Sequence, residues 1–247
     1  MTLPIRKRLV ITGSGGSVGR ELVDELVSDH DLVLIDRKGG AGVINADLSD
    51  RRIWHRVSRR LGRKPRWEAA FAGADAIIHL AADPDPEGGY RSIIWNNIAG
   101  THNVLEAARR MEVPKVIYAS TLLAFIGHVA GNLHALMESN VGTVDEDSTF
   151  FPITMYGHSK AVGELAGRAA VAMGHLRSFV AVRIGGFRLE EPTRPVYRTR
   201  WVGREDLRRV FRACVEKPLD GFHAVYAMSP HPDLPVDLSG TNTLLFE

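Results

Sequence analysis

The chain has 247 residues, with 45% hydrophobic, 24% charged and 7% aromatic residues and a formal net charge of +2, which excludes a disordered or fibrous protein. No apolar run reaches the roughly 18 residues of a membrane span, and the amino-terminal segment MTLPIRKRLVIT enters a strand-like run with no cleavage region. Because a single cysteine, Cys214, excludes both an internal disulfide and a cysteine-built zinc site, we expect a cytoplasmic protein without membrane or metal partners.

Short apolar runs of strand length alternate along the chain with segments that have the apolar spacing of helices. Strands are predicted at residues 8–12, 32–36, 76–80, 116–120 and 179–184, and helices at 17–27, 95–111, 156–173 and 204–216. Runs such as DLVLID and DAIIHLAA are almost continuously apolar, as in parallel strands buried on both faces and joined by right-handed crossovers. The pattern predicts an α/β fold, a Rossmann-type doubly wound parallel sheet, in a single domain over residues 1–247.

Two segments lie outside these elements. Residues 51–66 contain eight arginines and lysines and no acid, with Trp54 and Trp67 nearby. Such a stretch is able to contact phosphates, but a solvated helix face with Ile53, Trp54 and Val57 turned inward is favoured, and we expect no nucleic-acid partner. The proline-rich tail after Met228 is expected to be an extended surface strap or an arm that contacts a partner.

A glycine-rich segment, GSGGSVG, follows the first predicted strand and opens the first predicted helix. A tight turn needs positive φ, a phosphate needs backbone without an obstructing side chain, and the helix amino terminus offers free N–H groups and a positive dipole end. The strand, the helix and an acid after the second strand favour a dinucleotide site over a plain glycine turn. The candidate phosphate-binding residues are Gly13, Ser14, Gly16, Ser17, Val18 and Gly19.

Asp36 ends the second predicted strand. A carboxylate there accepts hydrogen bonds from the adenosine ribose hydroxyls and repels a 2′-phosphate, which favours NAD. Arg37 and Lys38 follow immediately and are able to grip that phosphate, so NADP remains an alternative. Asp47 and Leu48 follow a short third strand and are candidates for contacts with the adenine amino group and ring face. Capping of the next helix is an equal alternative for Asp47.

Seven motifs, taken in order, resemble those of the extended short-chain dehydrogenase/reductases, the superfamily of NAD-dependent nucleotide-sugar epimerases and dehydratases. They are TGSGGSVG at 12–19, DLSD at 47–50, HLAA at 79–82, NNIAGTHNVLEAA at 96–108, YAST at 118–121, PITMYGHSK at 152–160 and VRIGG at 182–186. Together they cover most of the chain. The resemblance implies an NAD-binding Rossmann oxidoreductase that forms a homodimer through helices 95–111 and 156–173.

Tyr156 and Lys160 are four residues apart on one predicted helix, so their side chains share a face. A phenol, with a reference pKa of about 10, is protonated at neutral pH, but a neighbouring ammonium and a positive nicotinamide both favour the phenolate. Tyr156 is therefore the candidate general base for alcohol oxidation. The resemblance implies that Lys160 also holds the nicotinamide ribose and that Thr121 hydrogen-bonds the reacting oxygen.

Other cofactor roles are implied by the resemblance alone. The small residues that end the fourth predicted strand are expected to lie under the dinucleotide, and Ile184 to pass beside the nicotinamide amide. Asn97 corresponds to an asparagine that braces the site from the middle of a helix, and His79 is expected to pack within the strand end, since no second metal ligand lies at a suitable spacing. The strand-end candidates are Leu80, Ala81 and Ala82.

The segment after Ile184 is short compared with that of relatives that act on nucleotide sugars, which indicates a small substrate. The compact uronate dehydrogenase branch is similar overall, with a VRIG strand followed by a loop, a Trp and a helix. In the pocket the chain departs from that branch, because Leu122 and Leu123 replace a polar Asn-His pair and Gly186 falls near a serine position.

The carboxylate-binding arginine of that branch aligns closest to Val196. Arg194 and Arg198, two residues away on either side, are candidates for this role through a shift of register. Residues 122–151 form a connection about ten residues longer than in most relatives, and a substrate lid and a surface excursion that helps dimerisation are equal alternatives. Residues 186–247 are expected to supply the rest of the substrate side and the tail.

These features predict an NAD-dependent oxidoreductase that acts on a secondary alcohol or hemiacetal of a small sugar-like substrate, with uronate or aldose oxidation at C1 as the best example. One alternative is a sugar or nucleotide-sugar epimerase or dehydratase that retains its NAD. Another is a non-catalytic dinucleotide-binding sensor, which the presence of both Tyr156 and Lys160 disfavours.

Overall fold

The structure of the protein, a computed structural model, describes residues 6–49, 67–129 and 144–247. Within these residues, seven strands form one parallel sheet and two short strands pair separately. The sheet order is β3-β2-β1-β4-β5-β6-β9, which reverses direction between β1 and β4. The strands are β1 (Arg8–Thr12), β2 (Asp31–Asp36), β3 (Val43–Asn45), β4 (Ala76–His79), β5 (Lys115–Thr121), β6 (Ser178–Ile184), β7 (Gly186–Phe187), β8 (Trp201–Val202) and β9 (Gly221–Ala227).

Helices cover both faces of the sheet. The helix α2 over residues 90–110 is continuous but contains a π-helical segment, Ile93–Ala99, between the α-helical segments Tyr90–Ser92 and Gly100–Arg110. The other helices are α1 (Ser17–Leu26), α3 (Ile126–Val129), α4 (Met155–Ala172), α5 (Pro195–Arg198), α6 (Arg204–Glu216) and α7 (Ser239–Phe246). The predicted doubly wound, Rossmann-type α/β fold is confirmed.

Two apolar layers sandwich the sheet. On one face, leucines of α1 and the apolar stripe of α6, including Leu207 and Phe211, pack on β1, β4, β6 and β9. On the other face, Val104 and Ala108 of α2 and Ala170 of α4 pack on the same sheet. A third cluster lies beyond the carboxyl ends of the strands and joins Leu122 to Tyr226 and its neighbours. Burial on both faces explains why the central strands consist of uninterrupted apolar residues.

Ion pairs fasten α1 to α6 at the protein surface. The Glu21 carboxylate of α1 forms ion pairs with Arg204 at 2.8 Å and Arg208 at 2.7 Å, and Arg212 pairs with Glu25 at 2.6 Å. The helix α6 also begins with acidic residues in its first turn, which suits the positive end of the helix dipole. The predicted bounds of this helix, 204–216, agree with the structure.

The carboxyl-terminal tail differs from the extended segment expected from its prolines. Residues 235–237 do run alongside Val144, with Val144 N–H donating to Pro235 O and Asp237 N–H donating to Val144 O. The chain then forms α7, so the expectation of an extended arm is wrong there. The last proline precedes this helix, and Leu245 is buried in the layer formed with α6. The predicted helix face at 51–66 and part of the predicted lid, 130–143, lie outside the described residues.

Candidate active site

Three adjoining cavities lie at the carboxyl ends of the parallel strands. The main cleft, of about 370 Å³, lies at the point where the strand order reverses, which is where ligands bind in open α/β sheets. A side cavity of about 120 Å³ shares Asp36 and Ala81 with it, and an outer pocket of about 350 Å³ shares Thr121 and Tyr156 with it. The three cavities therefore form one continuous groove across the top of the sheet.

The glycine loop forms one wall of the main cleft. Gly13 has φ +73°, and a Cβ atom there would lie 2.7 Å from the backbone nitrogen of Ala81. A Cβ on Gly19 would lie 2.3 Å from Gly13 O. Because Gly16 precedes α1 and no side chain caps this helix, its first N–H groups remain available for an anion. The loop thus fits a dinucleotide pyrophosphate.

Most of the predicted cofactor residues line the main cleft. Ser14 does not, because its side chain is buried and its hydroxyl donates to Ile35 O at 3.4 Å. The residues brought together there are Gly13, Gly16, Ser17, Val18, Gly19, Asp36, Leu80, Ala81, Ala82, Thr121, Tyr156, Lys160 and Ile184.

Asp36 stands between the main cleft and the side cavity. Its carboxylate accepts hydrogen bonds from the N–H of Gly15 at 3.0 Å and of Lys38 at 2.9 Å, which fix its orientation. Arg37 and Lys38 line the side cavity, and the Arg37 guanidinium donates to the side chain of Asn96 at 3.4 Å. The carboxylate and the two cations therefore meet at the place where the adenosine ribose of a dinucleotide would lie.

Asp47, Leu48 and Asn96 form the rest of the side cavity. Asp47 accepts hydrogen bonds from the backbone and hydroxyl of Ser49 at 2.9 and 2.7 Å, while the helix that it was predicted to cap lies outside the described residues. Asn103 holds the turn by donating to Leu48 O at 2.6 Å. Sequence analysis missed Asn96, although its neighbour Asn97 belongs to the same motif.

Thr121, Tyr156 and Lys160 converge where the main cleft meets the outer pocket. Thr121 is the last residue of β5, and α4 is capped by Thr154, whose hydroxyl accepts the N–H of Gly157 at 3.0 Å. This cap sets the start of the helix one residue before Tyr156. Lys160 donates to Ala119 O at 2.7 Å, and its ammonium nitrogen lies 5.8 Å from the centre of the Tyr156 ring.

Burial shifts both ionisable groups toward their neutral forms. It raises the pKa of the Tyr156 phenol to about 12, with a hydrogen bond from Thr121 acting in the opposite direction and the charge of Asp83 adding to the rise. Burial lowers the pKa of the Lys160 amine to about 7. At neutral pH the phenol is therefore protonated, and an additional positive charge beside it would favour the phenolate.

Asn97 does not line any of the three cavities. It is almost fully buried in the π-helical part of α2, where its side chain accepts the N–H of Asp83 at 2.7 Å and donates to Asp83 O at 3.1 Å. It also donates to the Ser159 hydroxyl at 3.0 Å, and that hydroxyl donates to Tyr156 O. Asn97 thus connects the loop after β4 to the helix that carries the tyrosine.

A buried ionic network, which sequence analysis missed, lies behind the convergence point. The guanidinium of Arg183, on β6, donates to both oxygens of the Glu164 carboxylate, on α4, with the shortest contact at 3.1 Å. It also donates to the backbone oxygens of Asp145 and Glu146. The Ser120 hydroxyl donates to the same carboxylate. The sequence did offer a sign of Glu164: it is four residues from Lys160, which places the two side chains on one face of the predicted helix.

The outer pocket contains some of the predicted substrate residues and not others. Leu122, Leu123 and Gly186 line it, as predicted. Arg194 and Arg198 do not. Both are exposed, Arg194 just before α5 and Arg198 at its end, and Arg198 pairs with Glu191 at 2.6 Å. Two other arginines line the pocket instead, Arg188 and Arg200. Sequence analysis considered only arginines within two residues of Val196, so it missed Arg188 and Arg200.

His79 lies inside the fold. Its ring nitrogens are hydrogen-bonded to Thr12 at 2.7 Å and Thr101 at 3.1 Å, and burial lowers its pKa to about 3. Within residues 6–49, 67–129 and 144–247, no three potential metal ligands are clustered. None of the helices in this part of the chain has the length and apolar character needed to cross a membrane.

The chain is similar to known NAD-dependent proteins in both sequence and fold. Residues 9–186 match the model of the NAD dependent epimerase/dehydratase family. An L-arabinose 1-dehydrogenase (NAD(P)(+)) of Haloferax volcanii is 29% identical over 95% of this chain and 92% of its own length. An NAD-dependent glucose-6-phosphate dehydrogenase of the same organism is 30% identical over 90% of this chain and 84% of its own length. The crystal structure of uronate dehydrogenase from Agrobacterium tumefaciens superposes with a TM-score of 0.78 at 25% identity, over 97% of this chain and 83% of that one.

Proposed function

Because the chain belongs to the NAD dependent epimerase/dehydratase family, we propose that it is a dehydrogenase that oxidises a secondary alcohol or hemiacetal carbon of a small sugar. One observation carries this proposal: Thr121 and Tyr156 lie on the wall that the main cleft shares with the outer pocket. A dinucleotide along the cleft and a sugar in the pocket would therefore meet at these two side chains.

In the proposed mechanism, the Tyr156 oxygen removes the proton from the reacting hydroxyl of the substrate. The Thr121 hydroxyl donates a hydrogen bond to the same substrate oxygen and stabilises the charge that develops on it. The Lys160 ammonium, held by Ala119 O, lowers the cost of forming the phenolate beside it. When bound, NAD would supply the acceptor for the hydride that leaves the substrate carbon.

The proposed cofactor contacts follow the groove. The glycine loop and the start of α1 hold the pyrophosphate, and Asp36 accepts hydrogen bonds from the adenosine ribose. Asp47 and Leu48 contact the adenine in the side cavity, where both residues form the wall. Lys160 holds the nicotinamide ribose and Ile184 lies beside the amide. The lack of side chains at Gly13 and Gly19, where a Cβ atom would collide with backbone atoms, allows the tight loop that this placement needs.

The test is a screen of aldoses and uronates with NAD and with NADP, read by the absorbance of the reduced cofactor. We expect net NADH formation on a sugar and a loss of kcat of about 100-fold or more in Tyr156→Phe, with dinucleotide binding retained. Tyr90→Phe, at an exposed tyrosine outside the three cavities, is the matched control. Isomerised sugar without net NADH would favour the epimerase alternative, and NAD binding without turnover would favour the sensor.

We also propose that the enzyme is a cytoplasmic homodimer whose subunits contact each other through α2 and α4. A groove of about 390 Å³ lies between these two helices, lined by side chains such as Ala166 and His102. Two exposed apolar side chains lie at this face, Leu165 of α4, exposed by 53%, and Met173, which directly follows α4, exposed by 61%. A second copy would remove this apolar surface from water.

A further inference from the structure

Lys160 lies between the rings of two tyrosines. Its ammonium nitrogen is 4.9 Å from the ring centre of Tyr118, on β5, and 5.8 Å from the ring centre of Tyr156. Tyr156 lines the main cleft and the outer pocket, whereas Tyr118 lines none of the three cavities and is 1% exposed. The proposed mechanism uses Tyr156 and Lys160 and leaves Tyr118 without a role.

The Lys160 ammonium is buried without a carboxylate of its own. Its side chain is almost fully buried, and in the part of the chain that the structure describes its hydrogen-bond acceptor is Ala119 O, at 2.7 Å. Glu164, one turn further along α4, is engaged by Arg183 and by the Ser120 hydroxyl. Burial without a paired acid favours the neutral amine, which agrees with the lowered pKa of Lys160, about 7.

The ring of Tyr118 offers the ammonium a stabilising contact of another kind. The face of an aromatic ring carries negative electrostatic potential, so it attracts a cation, and the attraction is stronger where water is excluded. Burial raises the pKa of the Tyr118 phenol, so this side chain stays neutral and acts through its ring rather than as a phenolate. The ring therefore favours the charged form of Lys160.

Packing fixes the Tyr118 ring on several sides. Its centre lies 5.7 Å from that of Phe179 on β6 and 5.8 Å from that of His79 on β4. Its hydroxyl lies against Gly163 of α4, where a Cβ atom would overlap the phenol oxygen. A ring held in this way has no room to turn, so it fixes the position of the ammonium as well as favouring its charge.

The other ionisable groups around Lys160 do not supply this stabilisation. His79, on β4, is kept neutral, because burial lowers its pKa to about 3 and the charge of Lys160 adds to this shift. Tyr156, on α4, is protonated at neutral pH, since burial raises its pKa to about 12. The charges of Arg183, on β6, and Glu164, on α4, neutralise each other. The aromatic ring and the backbone oxygen are left as the contacts that stabilise the charge.

We propose, on the basis of the proposed dehydrogenase function, that Tyr118 is a positioning residue of the active site, whose ring face holds the Lys160 ammonium beside Tyr156 and stabilises its charged form. Tyr118 does not contact the reacting atoms and acts through Lys160. Removing the ring lowers the pKa of the amine, so at a given pH less of the enzyme carries the ammonium that favours the phenolate.

The charge of Lys160 is measured by NMR of protein labelled with carbon-13 at the lysine ε-carbons, with the Lys160 signal assigned by its loss in Lys160→Met. Tyr118→Leu and Tyr118→Met both remove the ring and are expected to lower the titration midpoint of Lys160 by about one pH unit. Tyr118→Phe keeps the ring and should keep the midpoint. Phe211→Leu, at a buried aromatic residue of α6 on the other face of the sheet, is the matched control.

Three results of this titration would overturn the proposal. The first is an unchanged midpoint in Tyr118→Leu and Tyr118→Met. The second is an equal fall in Tyr118→Phe, which would assign the effect to the hydroxyl. The third is an equal fall in Phe211→Leu, which would assign the effect to a general loss of packing. The titration needs no substrate, so it does not depend on finding the right sugar.

The consequence for catalysis is read from the pH profile of kcat/KM for a sugar at saturating NAD. We expect Tyr118→Leu to move the rising part of the profile to higher pH, in the direction of Lys160→Met, and Tyr118→Phe to keep its position. In the Lys160→Met background, Tyr118→Leu should produce no further shift, because the ring acts through the lysine. A further shift of about one pH unit in that background would show that Tyr118 acts by another route, and the proposal would be wrong.

The titration and the kinetics also separate this proposal from the proposed function. A midpoint that falls in Tyr118→Leu, in a protein that forms no NADH from any sugar, would refute the dehydrogenase function and leave the contact between the ring and Lys160 in place. NADH formation with an unchanged midpoint would refute the role of Tyr118 and leave the dehydrogenase function in place.

Discussion

At the scale of single residues, burial acts on the tyrosine and the lysine in opposite directions. It raises the pKa of Tyr156 to about 12 and lowers that of Lys160 to about 7. Each group on its own is therefore neutral over much of the accessible pH range. Positive charge next to the phenol favours the phenolate, so a bound, oxidised cofactor would promote proton removal by Tyr156.

This link predicts a pH dependence. The base must be deprotonated, so kcat/KM for the sugar at saturating NAD should rise with pH and level off above the pKa of the phenol in the NAD-bound enzyme. Lys160→Met removes the ammonium and should move the rising limb to higher pH. Lys115→Met is the matched control, because burial also lowers the pKa of Lys115, to about 8, but its amine donates to Lys217 O, away from the groove. If the rising part of the pH profile is unchanged in Lys160→Met, the proposed role of Lys160 in favouring the phenolate is wrong.

The choice of cofactor is also a residue-scale property. Asp36→Asn removes the negative charge that opposes a 2′-phosphate, while Arg37 and Lys38 remain in the side cavity. We expect the ratio of kcat/KM for NAD over NADP to fall at least tenfold. Asp24→Asn, at a carboxylate 72% exposed on α1, should leave the ratio unchanged. A constant ratio in Asp36→Asn would show that the ribose lies elsewhere.

At the scale of elements, α4, the helix that carries Tyr156 and Lys160, is fixed from two sides. The Arg183–Glu164 pair joins α4 to β6 and, through the Asp145 and Glu146 oxygens, to the segment that precedes α4. Asn97 ties the other side of the same helix to the loop after β4. These contacts hold the first turns of α4 against the end of β5, which is what sets the distance between Tyr156 and Thr121.

The buried pair predicts a large loss of stability in Glu164→Gln. Both side chains are almost fully buried, so the variant leaves the Arg183 charge without a counterion. We expect a loss of about 3–5 kcal/mol in the free energy of unfolding, measured by urea denaturation. Asp220→Asn removes the exposed pair with Arg177 and should cost less than about 1 kcal/mol. Equal losses in the two variants would show that the buried pair contributes no more to the free energy of unfolding than the exposed pair.

At the scale of the whole molecule, the exposed apolar side chains of α4 predict self-association. Leu165→Glu and Met173→Glu should each shift the protein toward monomer in sedimentation velocity, because a charge would be buried in the proposed contact. Val27→Glu, at an apolar residue 55% exposed beyond α1, is the control and should not change the mass. A monomeric parent protein would contradict the homodimer.

Sequence alone predicted the layers of the fold and most of the residues that line the main cleft. Local patterns carry this information: apolar runs identify buried strands, and a glycine turn between a strand and a helix identifies a phosphate site. The spacing of Tyr156 and Lys160 placed them on one helical face for the same reason.

The substrate side depended on the tertiary structure. Arg188 and Arg200 meet at the pocket because β7 and β8 pair across a loop, and no local pattern shows which loop side chains point inward. Arg183 and Glu164 are adjacent only because α4 packs on β6. The tail became helical where its leucines reach the α6 layer. Each of these outcomes rests on contacts between residues distant in the chain, which periodicity and spacing do not encode.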